Sequence, residues 1–448
     1  MGVLNRQFGG AATRQAIGEN TTWLMLGRIF ELSLRFFVGA WVIRYLGPEQ
    51  FGVYSYALSF VAIFVDIAAL GLDQIVVRDL ARGTSPPGEV LATAFSLRAW
   101  AAVVTFGLVV LASAIVDTES STRMAVLIAA GQLFFNPANV FDLWFQARLR
   151  SRYVVVIRGA VTLLIAAAQI ACIVAGLPLL AFLVLALIHS ALTGAGMLFS
   201  FRIAGPETIH WRRSGKLAIA MLRDAWPLAL SALSVSVYMR IDQVMLGLMV
   251  GIDAVGVYGA AVKVSEVWYF VPTALAMSAF PGIVQMRLSA SLDVYHGRLQ
   301  ALCDAMAAYS YLVILVMTLG APLFIDVLFG RTFDASVAVL RVHIWSLIFV
   351  SLGLVYSRWL VAEERAIFSM VSAVLGAIAN VGLNVVLIPS YGALGAAWAT
   401  LISYAISAYL SALLFRPLRP MFVRMSKALV VPLRWGSSWH RMLPDGRP

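Results

Sequence analysis

Apolar residues fill long stretches along almost the whole chain, and short polar segments separate them. A helix needs about twenty mainly apolar residues to cross a bilayer. We therefore predict an all-α polytopic membrane protein with about twelve transmembrane helices. The predicted spans are 20–46, 51–77, 90–116, 124–145, 153–176, 178–201, 225–249, 255–281, 302–328, 336–359, 366–388 and 392–415.

One polar connection, 202–224, is longer than the others and separates six spans from six. It contains the basic amphipathic stretch HWRRSGKLAIAMLRD, a composition typical of a segment that lies on the membrane surface. The predicted organisation is an N-terminal six-helix lobe 1–203, a cytoplasmic interlobe linker 204–224, a C-terminal six-helix lobe 225–416 and a basic cytoplasmic tail 417–448.

A short motif occurs twice, about two hundred positions apart. Aligning Gly52–Tyr54 with Gly256–Tyr258, both Gly-Val-Tyr, also aligns Gly47 with Gly251. Because each half has an even number of spans, the two halves are predicted to be parallel repeats related by an axis along the membrane normal. Transporters of this design bind substrate near the midplane and expose it alternately to the two sides. The motif itself is interpreted as a tight turn followed by an interfacial tyrosine anchor.

The composition agrees with this pattern and excludes other classes of protein. Apolar residues make up 61% of the chain, charged residues 12%, and the mean hydropathy is +0.88. Cys172 and Cys303 lack the spacing of a disulfide framework or a metal site, and the five histidines form no set of ligands. The chain has no phosphate-binding GxxxxGK[ST] motif. We expect no cofactor, no metal site and no enzymatic activity. The first apolar run is too long for a signal peptide and is expected to remain as the first span.

The basic residues of the loops predict the orientation, because cytoplasmic loops carry the excess of Lys and Arg. With a cytoplasmic N-terminus, only Arg44, Arg123 and Arg331 fall on the outer side, and both termini are cytoplasmic. Topology and anionic membrane lipids thus account for most of the net charge of +11, so no nucleic-acid partner is expected.

Seven basic residues remain inside the predicted spans: Arg28, Arg35, Arg98, Arg158, Arg240, Lys263 and Arg341. A charge at bilayer depth costs at least about 2.5–3.5 kcal/mol and therefore marks a candidate functional site. Arg28, Glu31 and Arg35 share one helix face through their i, i+3, i+7 spacing. One carboxylate cannot neutralise two arginines. We predict a cationic cavity wall here, with a snorkelling or internally paired stripe as the alternative.

In the second half, Arg240 and Asp242 lie on different faces of one helix, so each needs a partner on another helix. Lys263 and Glu266 either pair with each other or contact substrate or a coupling ion.

The other basic residues lie closer to the membrane surfaces. Arg98 and Arg341 are near helix ends, where snorkelling is easier, and Arg158 is one turn from the inner surface.

Acidic residues are candidates for coupling transport to a proton or sodium gradient. Our first candidates for the coupling residues are Asp66 and Asp242, and Glu31 and Glu266 are further candidates. Asp66 is mid-span with no basic residue within one turn.

Asn136, Asn139 and Asp142 recur every third residue around Pro137, which gives a kinked polar face. This face is interpreted either as a hydrophilic wall for sugars or as a set of interhelical hydrogen bonds.

Three stretches carry a resemblance to a known family: RYLGPEQFGVY at 44–54, WPLALSAL at 226–233 and RIDQVMLG at 240–247, the last followed by GVYGAA. They resemble the polysaccharide-transporter branch of the multidrug/oligosaccharidyl-lipid/polysaccharide (MOP) exporter superfamily, and its O-antigen flippases in particular. The resemblance implies a V-shaped transporter in the bacterial inner membrane that moves an undecaprenyl-pyrophosphate-linked oligosaccharide to the outer leaflet. That activity serves O-antigen, exopolysaccharide or capsule synthesis, with a polysaccharide polymerase machinery as an expected partner.

Our hypothesis is that Arg28 and Arg35 from the first half and Arg240 and Lys263 from the second bind the pyrophosphate. Arg98 and Arg341 are further candidates. One alternative function is export of a peptidoglycan lipid precursor, a teichuronic-type lipid or a cationic drug by a related transporter. The other is a membrane enzyme of lipid-linked sugar metabolism, which the short outer loops disfavour.

Overall fold

The computed structural model of the protein describes residues 10–83, 85–116, 119–205, 210–289 and 291–434. Within these ranges, the side chains of residues 10–26, 28, 29, 281 and 288 lie outside the description. The described backbone consists of helices and short connections, with no strand. The all-α prediction is confirmed.

The first half of the chain forms seven α-helices and one 3-10 segment. They are α1 (Gly10–Ala69), α2 (Leu72–Arg82), α3 (Pro87–Val116), α4 (Ser120–Ala130), the 3-10 segment Gly131–Ala138, α5 (Asn139–Ala147), α6 (Arg152–Val174) and α7 (Leu179–Ala204).

The second half forms nine α-helices with short 3-10 or π segments between some of them. They are α8 (Gly215–Met249), α9 (Ile252–Glu266), α10 (Phe270–Ser289), α11 (Leu292–Phe329), α12 (Ser336–His343), α13 (Ser346–Ala362), α14 (Ile367–Ala405), α15 (Ser411–Leu414) and α16 (Arg419–Leu429).

The described chain contains nine helical stretches that are long and apolar enough to cross a membrane. Two of them, Phe30–Arg82 and Ile367–Leu414, each contain two of the predicted spans. The predicted eighth span coincides with α9 and α10, which the 3-10 turn Val267–Tyr269 joins. The protein is thus a multi-pass membrane protein, and helices occupy the positions of all twelve predicted spans.

Glycines with positive φ mark the turns between consecutive spans. Gly47 (φ 70°, ψ 175°) breaks α1, and Gly251 (φ 133°, ψ 168°) separates α8 from α9. An L side chain rarely adopts this backbone conformation, so glycine is required at both turns. The alignment of Gly47 with Gly251 therefore corresponds to equivalent turns in the two halves.

The chain divides into two compact units, Met1–Ser236 and Val237–Pro448, and the division falls inside α8. The predicted interlobe linker is partly helical, because α8 begins at Gly215 and continues without interruption into the seventh span. Met221 and Ala225 of α8 are buried in an apolar cluster of the first unit that includes Trp144 and Phe145.

Large apolar side chains also cover the outside of both units. Trp100 is 69% exposed, Ile115 75% and Leu319 73%. In water such surfaces would associate, but a helix surrounded by lipid satisfies its backbone internally and presents apolar side chains outward. Some polar side chains are nevertheless buried inside each unit, among them Asn136 and Asp142 in the first and Asp242 and Asn384 in the second.

Candidate functional site

The first unit contains a polar cavity of about 280 Å3. Residues of α1, the 3-10 segment, α5, α6 and α7 line this polar cavity. They are Glu31, Arg35, Val65, Gln132, Phe135, Asn136, Asn139, Arg158, His189, Ser190, Thr193 and Gly194. Four predicted site residues, Glu31, Arg35, Asn136 and Asn139, therefore meet at one place, together with Arg158.

Arg35 is held by two neighbours at the wall of the polar cavity. Its Nη2 lies 2.8 Å from Oε1 of Glu31, one helical turn earlier, and 2.9 Å from Nε2 of His189 on α7. The Glu31 side chain is 10% exposed, whereas that of Arg35 is 48% exposed. Because a guanidinium has five N–H donors in a rigid plane, two contacts at one nitrogen orient the group without using all its donors.

Arg158 of α6, which also lines the polar cavity, is oriented in a similar way. Its Nη2 lies 2.6 Å from Oδ2 of Asp142, and Gln146 donates a hydrogen bond of 3.0 Å to Oδ1 of the same carboxylate. Asp142 is buried, while the Arg158 side chain remains 39% exposed. The carboxylate therefore serves as a support for Arg158 rather than as part of the cavity wall.

Asn136 and Asn139 both face this cavity from adjoining elements, since Asn136 lies in the 3-10 segment and Asn139 begins α5. Residues i and i+3 lie on one face of a helix. Pro137 lies inside the 3-10 segment. Asn136 is 7% exposed, and its Oδ1 has no hydrogen-bond partner among the described residues. A buried acceptor of this kind is a strong point of attachment for a ligand hydroxyl.

The charges described on this wall balance one another: Arg35 has Glu31, and Arg158 has Asp142. Because Asp142 lies behind the wall, the lining itself contains two arginines and one carboxylate, and the cationic wall stays a prediction. The Arg28 side chain, which contributes to that prediction, lies outside the described residues.

The second unit contains a buried polar cluster around Asp242 of α8, here called the Asp242 cluster. Tyr258 donates to Oδ2 over 2.7 Å, and Asn384 Nδ2 donates to Oδ1 over 2.6 Å. Thr400 Oγ1 also donates to Oδ2. Asn384 contacts Oδ1 of Asn380 at 3.0 Å, and all five side chains are at most 2% exposed.

The Asp242 cluster is rich in oxygen atoms. It presents the two oxygens of Asp242, the hydroxyls of Tyr258 and Thr400 and the amide oxygens of Asn380 and Asn384. Asn384 Oδ1 is buried and accepts no hydrogen bond within the described chain. Hard cations prefer oxygen ligands of this kind.

Arg240 and Asp242 have separate partners on other helices, as the sequence predicts. Arg240 Nη2 lies 3.9 Å from Oε2 of Glu266 on α9. Lys263, one turn before Glu266, has an exposed side chain.

Besides Arg240 and Lys263 of the second unit, two predicted basic residues lie outside the lining of the polar cavity. Arg98 is only 1% exposed and forms an ion pair with Asp73 of α2, so the snorkelling expected for it is wrong. Arg341 is exposed, and its Nε donates to the carbonyl of Thr318 over 3.2 Å.

Asp66, predicted as a coupling residue, is half-buried in α1 beside Val65, which lines the polar cavity.

Sequence reasoning missed several residues of both sites. His189 lies in the middle of the predicted span 178–201, and a histidine at that depth marks a candidate site residue. Tyr258 was interpreted as an interfacial anchor, which is wrong, because its buried hydroxyl contacts Asp242. Nothing in the sequence indicated a site at Asn380, Asn384 or Thr400, because buried Asn and Thr are common between membrane helices.

The family model described as "Polysaccharide biosynthesis protein" matches residues 17–287, more than half of the chain. The chain belongs to this family. Among similar proteins, the probable low-salt glycan biosynthesis flippase Agl15 of Haloferax volcanii is 24% identical over 406 residues, which cover 88% of this chain and 83% of that protein.

Solved structures resemble this chain over nearly its whole length. Lipid II flippase MurJ in an inward closed conformation superposes with a TM-score of 0.68 at 14% identity and covers 94% of both chains. A multidrug resistance MATE family transporter of the MOP superfamily, in its inward-facing conformation, gives a TM-score of 0.63 at 13% identity and covers 92% of this chain and 96% of its own. At these identities the likeness establishes the fold, which is that of MOP superfamily transporters.

Proposed function

We propose that this polysaccharide biosynthesis protein is a flippase that moves a lipid-linked oligosaccharide between the leaflets of a membrane. The observation that carries the proposal is the polar cavity, in which two partly exposed arginines and several neutral polar side chains meet inside an apolar unit. The relative from Haloferax volcanii is named a glycan biosynthesis flippase, which agrees with the proposal.

The phosphate groups of the carrier bind to Arg35 and Arg158. Arginine presents donors in a plane that matches two phosphate oxygens at once. Glu31 and Asp142 hold the two guanidinium groups in place, so little side-chain entropy is lost when the phosphate arrives. Arg240 and Lys263 of the second unit are additional candidates for phosphate binding.

The sugar residues contact the neutral part of the cavity wall. Asn136, Asn139 and Gln132 supply amides, and Ser190 and Thr193 supply hydroxyls. Amides and hydroxyls both donate and accept hydrogen bonds, as sugar hydroxyls do. The buried acceptor Asn136 Oδ1 is the position at which we expect the most selective contact with the glycan.

The carrier is undecaprenyl pyrophosphate, and the membrane is a bacterial inner membrane with both termini of the protein in the cytoplasm. The arginine-rich loops on one side support this orientation. The transported repeat unit serves O-antigen, exopolysaccharide or capsule synthesis and passes to a polysaccharide polymerase machinery on the outer side.

Transport is coupled to a cation gradient at the Asp242 cluster. Its six oxygen atoms, which include the buried acceptor Asn384 Oδ1, favour Na+ over a proton, because a proton needs one carboxylate whereas Na+ needs several oxygen ligands.

The proposal is tested by deleting the gene in its host. Lipid-linked repeat units should accumulate on the cytoplasmic leaflet, and the wild-type gene should restore their export. Normal export without the gene would contradict the flippase function. Failure to synthesise the lipid-linked unit at all would instead indicate an enzyme of its synthesis.

A further inference from the structure

A second cavity in the first unit, here called the apolar groove, lies between α3, α7 and the segment 210–214. Its volume is about 610 Å3, and most of its lining is apolar. Phe95, Phe134, Phe141 and Leu198 supply its large side chains. Phe134 is 48% exposed and Leu198 38%, so the groove opens toward the surroundings of the unit.

One end of the apolar groove is basic. Trp211 and Arg213 line this end, and Arg212 and Lys216 are their neighbours in sequence. The segment is anchored to the unit: the Trp211 ring lies 6.1 Å from that of Phe141, and the Ser214 backbone N–H donates to Thr93 Oγ1 over 3.2 Å. Arg213 is exposed and has no carboxylate at ion-pair distance within the described residues.

The apolar groove is separated from the polar cavity by a close helix contact. Phe135 and Gly194 line both spaces. A Cβ atom built on Gly194 would lie 3.2 Å from Cβ of Ala138 and 3.7 Å from the Phe135 carbonyl oxygen. At this distance no chain passes between the two helices. A molecule in the groove is therefore separate from a molecule whose head group occupies the polar cavity.

We propose that the apolar groove binds an anionic phospholipid, with one acyl chain between α3 and α7 and its phosphate at Arg213. An acyl chain fits an open apolar groove, and a basic site between helices at the cytoplasmic surface is the usual location of an anionic head group. Trp211 lines the groove beside Arg213, and tryptophan is enriched at the depth of lipid head groups. This lipid is distinct from the transported substrate, so the inference stands independently of the proposed function.

The test uses the full-length protein in phosphatidylcholine vesicles that contain a small fraction of phosphatidylglycerol with a diazirine on one acyl chain. After irradiation, mass spectrometry of peptides should place the crosslinks on Phe95, Phe134 and Leu198. Excess unlabelled phosphatidylglycerol should displace the probe, and excess phosphatidylcholine should not. Equal labelling by a phosphatidylcholine probe would contradict the proposal, as would displacement by a polyprenyl phosphate.

Two variants separate the head-group contact from the acyl-chain contact. Arg213→Gln should lower labelling about fivefold, the effect expected for one basic residue at a charged membrane surface. Arg202→Gln, an exposed arginine of α7 that does not line the groove, is the matched control and should change labelling less than twofold. Ala195→Phe fills the groove and should abolish the crosslinks, whereas Leu163→Trp, at an exposed position of α6, should not. Unchanged labelling in both Arg213→Gln and Ala195→Phe would overturn the proposal.

Discussion

Asn384 donates a hydrogen bond of 2.6 Å to Asp242, although the two residues are 142 positions apart in the sequence. The same amide nitrogen lies 3.0 Å from Asn380 Oδ1, so the orientation of the amide is fixed by two acceptors. Asn384 Oδ1 is consequently left as a buried acceptor within the cluster. A buried acceptor without a donor is unfavourable, and a bound cation would satisfy it.

Removing the carboxylate of the Asp242 cluster should uncouple transport from its cation. Asp242→Asn keeps the shape of the side chain but removes its charge, and Asn384→Ala removes the unsatisfied acceptor. In proteoliposomes, we expect both variants to lose the stimulation of flipping by an inward sodium gradient, at least tenfold for Asp242→Asn.

The matched control is Asp326→Asn, at an exposed position near the end of α11, which should respond to the gradient as the wild type does. If a proton gradient stimulates flipping by the wild type and a sodium gradient does not, Asp242 would still be the coupling residue, but the coupling ion would be a proton and not Na+. If the sodium gradient stimulates flipping by Asp242→Asn as strongly as by the wild type, the Asp242 cluster has no role in coupling.

The ion pair of Arg98 with Asp73 predicts an unequal effect of removing either partner. Arg98 is 1% exposed, while the Asp73 side chain is 63% exposed. Asp73→Asn leaves a buried guanidinium without its counter-charge and should lower the free energy of unfolding by about 1–3 kcal/mol, less than a fully buried pair would. Arg98→Met leaves Asp73 in contact with its exposed surroundings and should cost less.

Thermal unfolding of the detergent-solubilised protein measures this difference. Equal midpoints for Asp73→Asn and the wild type would contradict the structural role. If the Arg98→Met protein is present at normal abundance but no longer flips the lipid, Arg98 would again be a candidate for substrate binding.

The glycine turns predict a second difference in stability. Gly47→Ala and Gly251→Ala place a Cβ atom at φ 70° and φ 133°, which should cost about 1–3 kcal/mol each. Gly107→Ala is the control, because it lies inside α3 with no neighbouring atom within 4 Å of the added Cβ. There the substitution should be neutral or stabilising by up to about 1 kcal/mol. Unfolding midpoints that fall equally at all three positions would contradict the role of the turns.

The fold was accessible from the sequence because the bilayer imposes a simple rule on length and composition. Twelve apolar stretches predicted twelve spans, and the aligned Gly47 and Gly251 predicted equivalent turns. Helix breaks inside a predicted span were harder to place, as at the 3-10 turn Val267–Tyr269, which interrupts the predicted eighth span 255–281.

The sites were only partly accessible, because the rotation of each helix depends on packing. Arg35 and Asn136 were found from their charge and spacing. The partner of Arg158 was missed, since Asp142 was assigned to the polar wall and instead supports the arginine from behind. The Asp242 cluster combines residues of three helices, α8, α9 and α14, and the sequence indicated only its charged member.

The central claim is that Arg35 and Arg158 bind the phosphate of the lipid carrier during flipping. The most direct test is the rate at which a fluorescent lipid-linked oligosaccharide changes leaflets in proteoliposomes, measured by quenching at the outer leaflet. The double variant Arg35→Ala/Arg158→Ala should reduce the rate at least a hundredfold, because two charge-assisted contacts are each worth about 1.5–3 kcal/mol. Arg331→Ala, an exposed arginine of the second unit, should leave it unchanged. Wild-type flipping by the double variant would contradict the account.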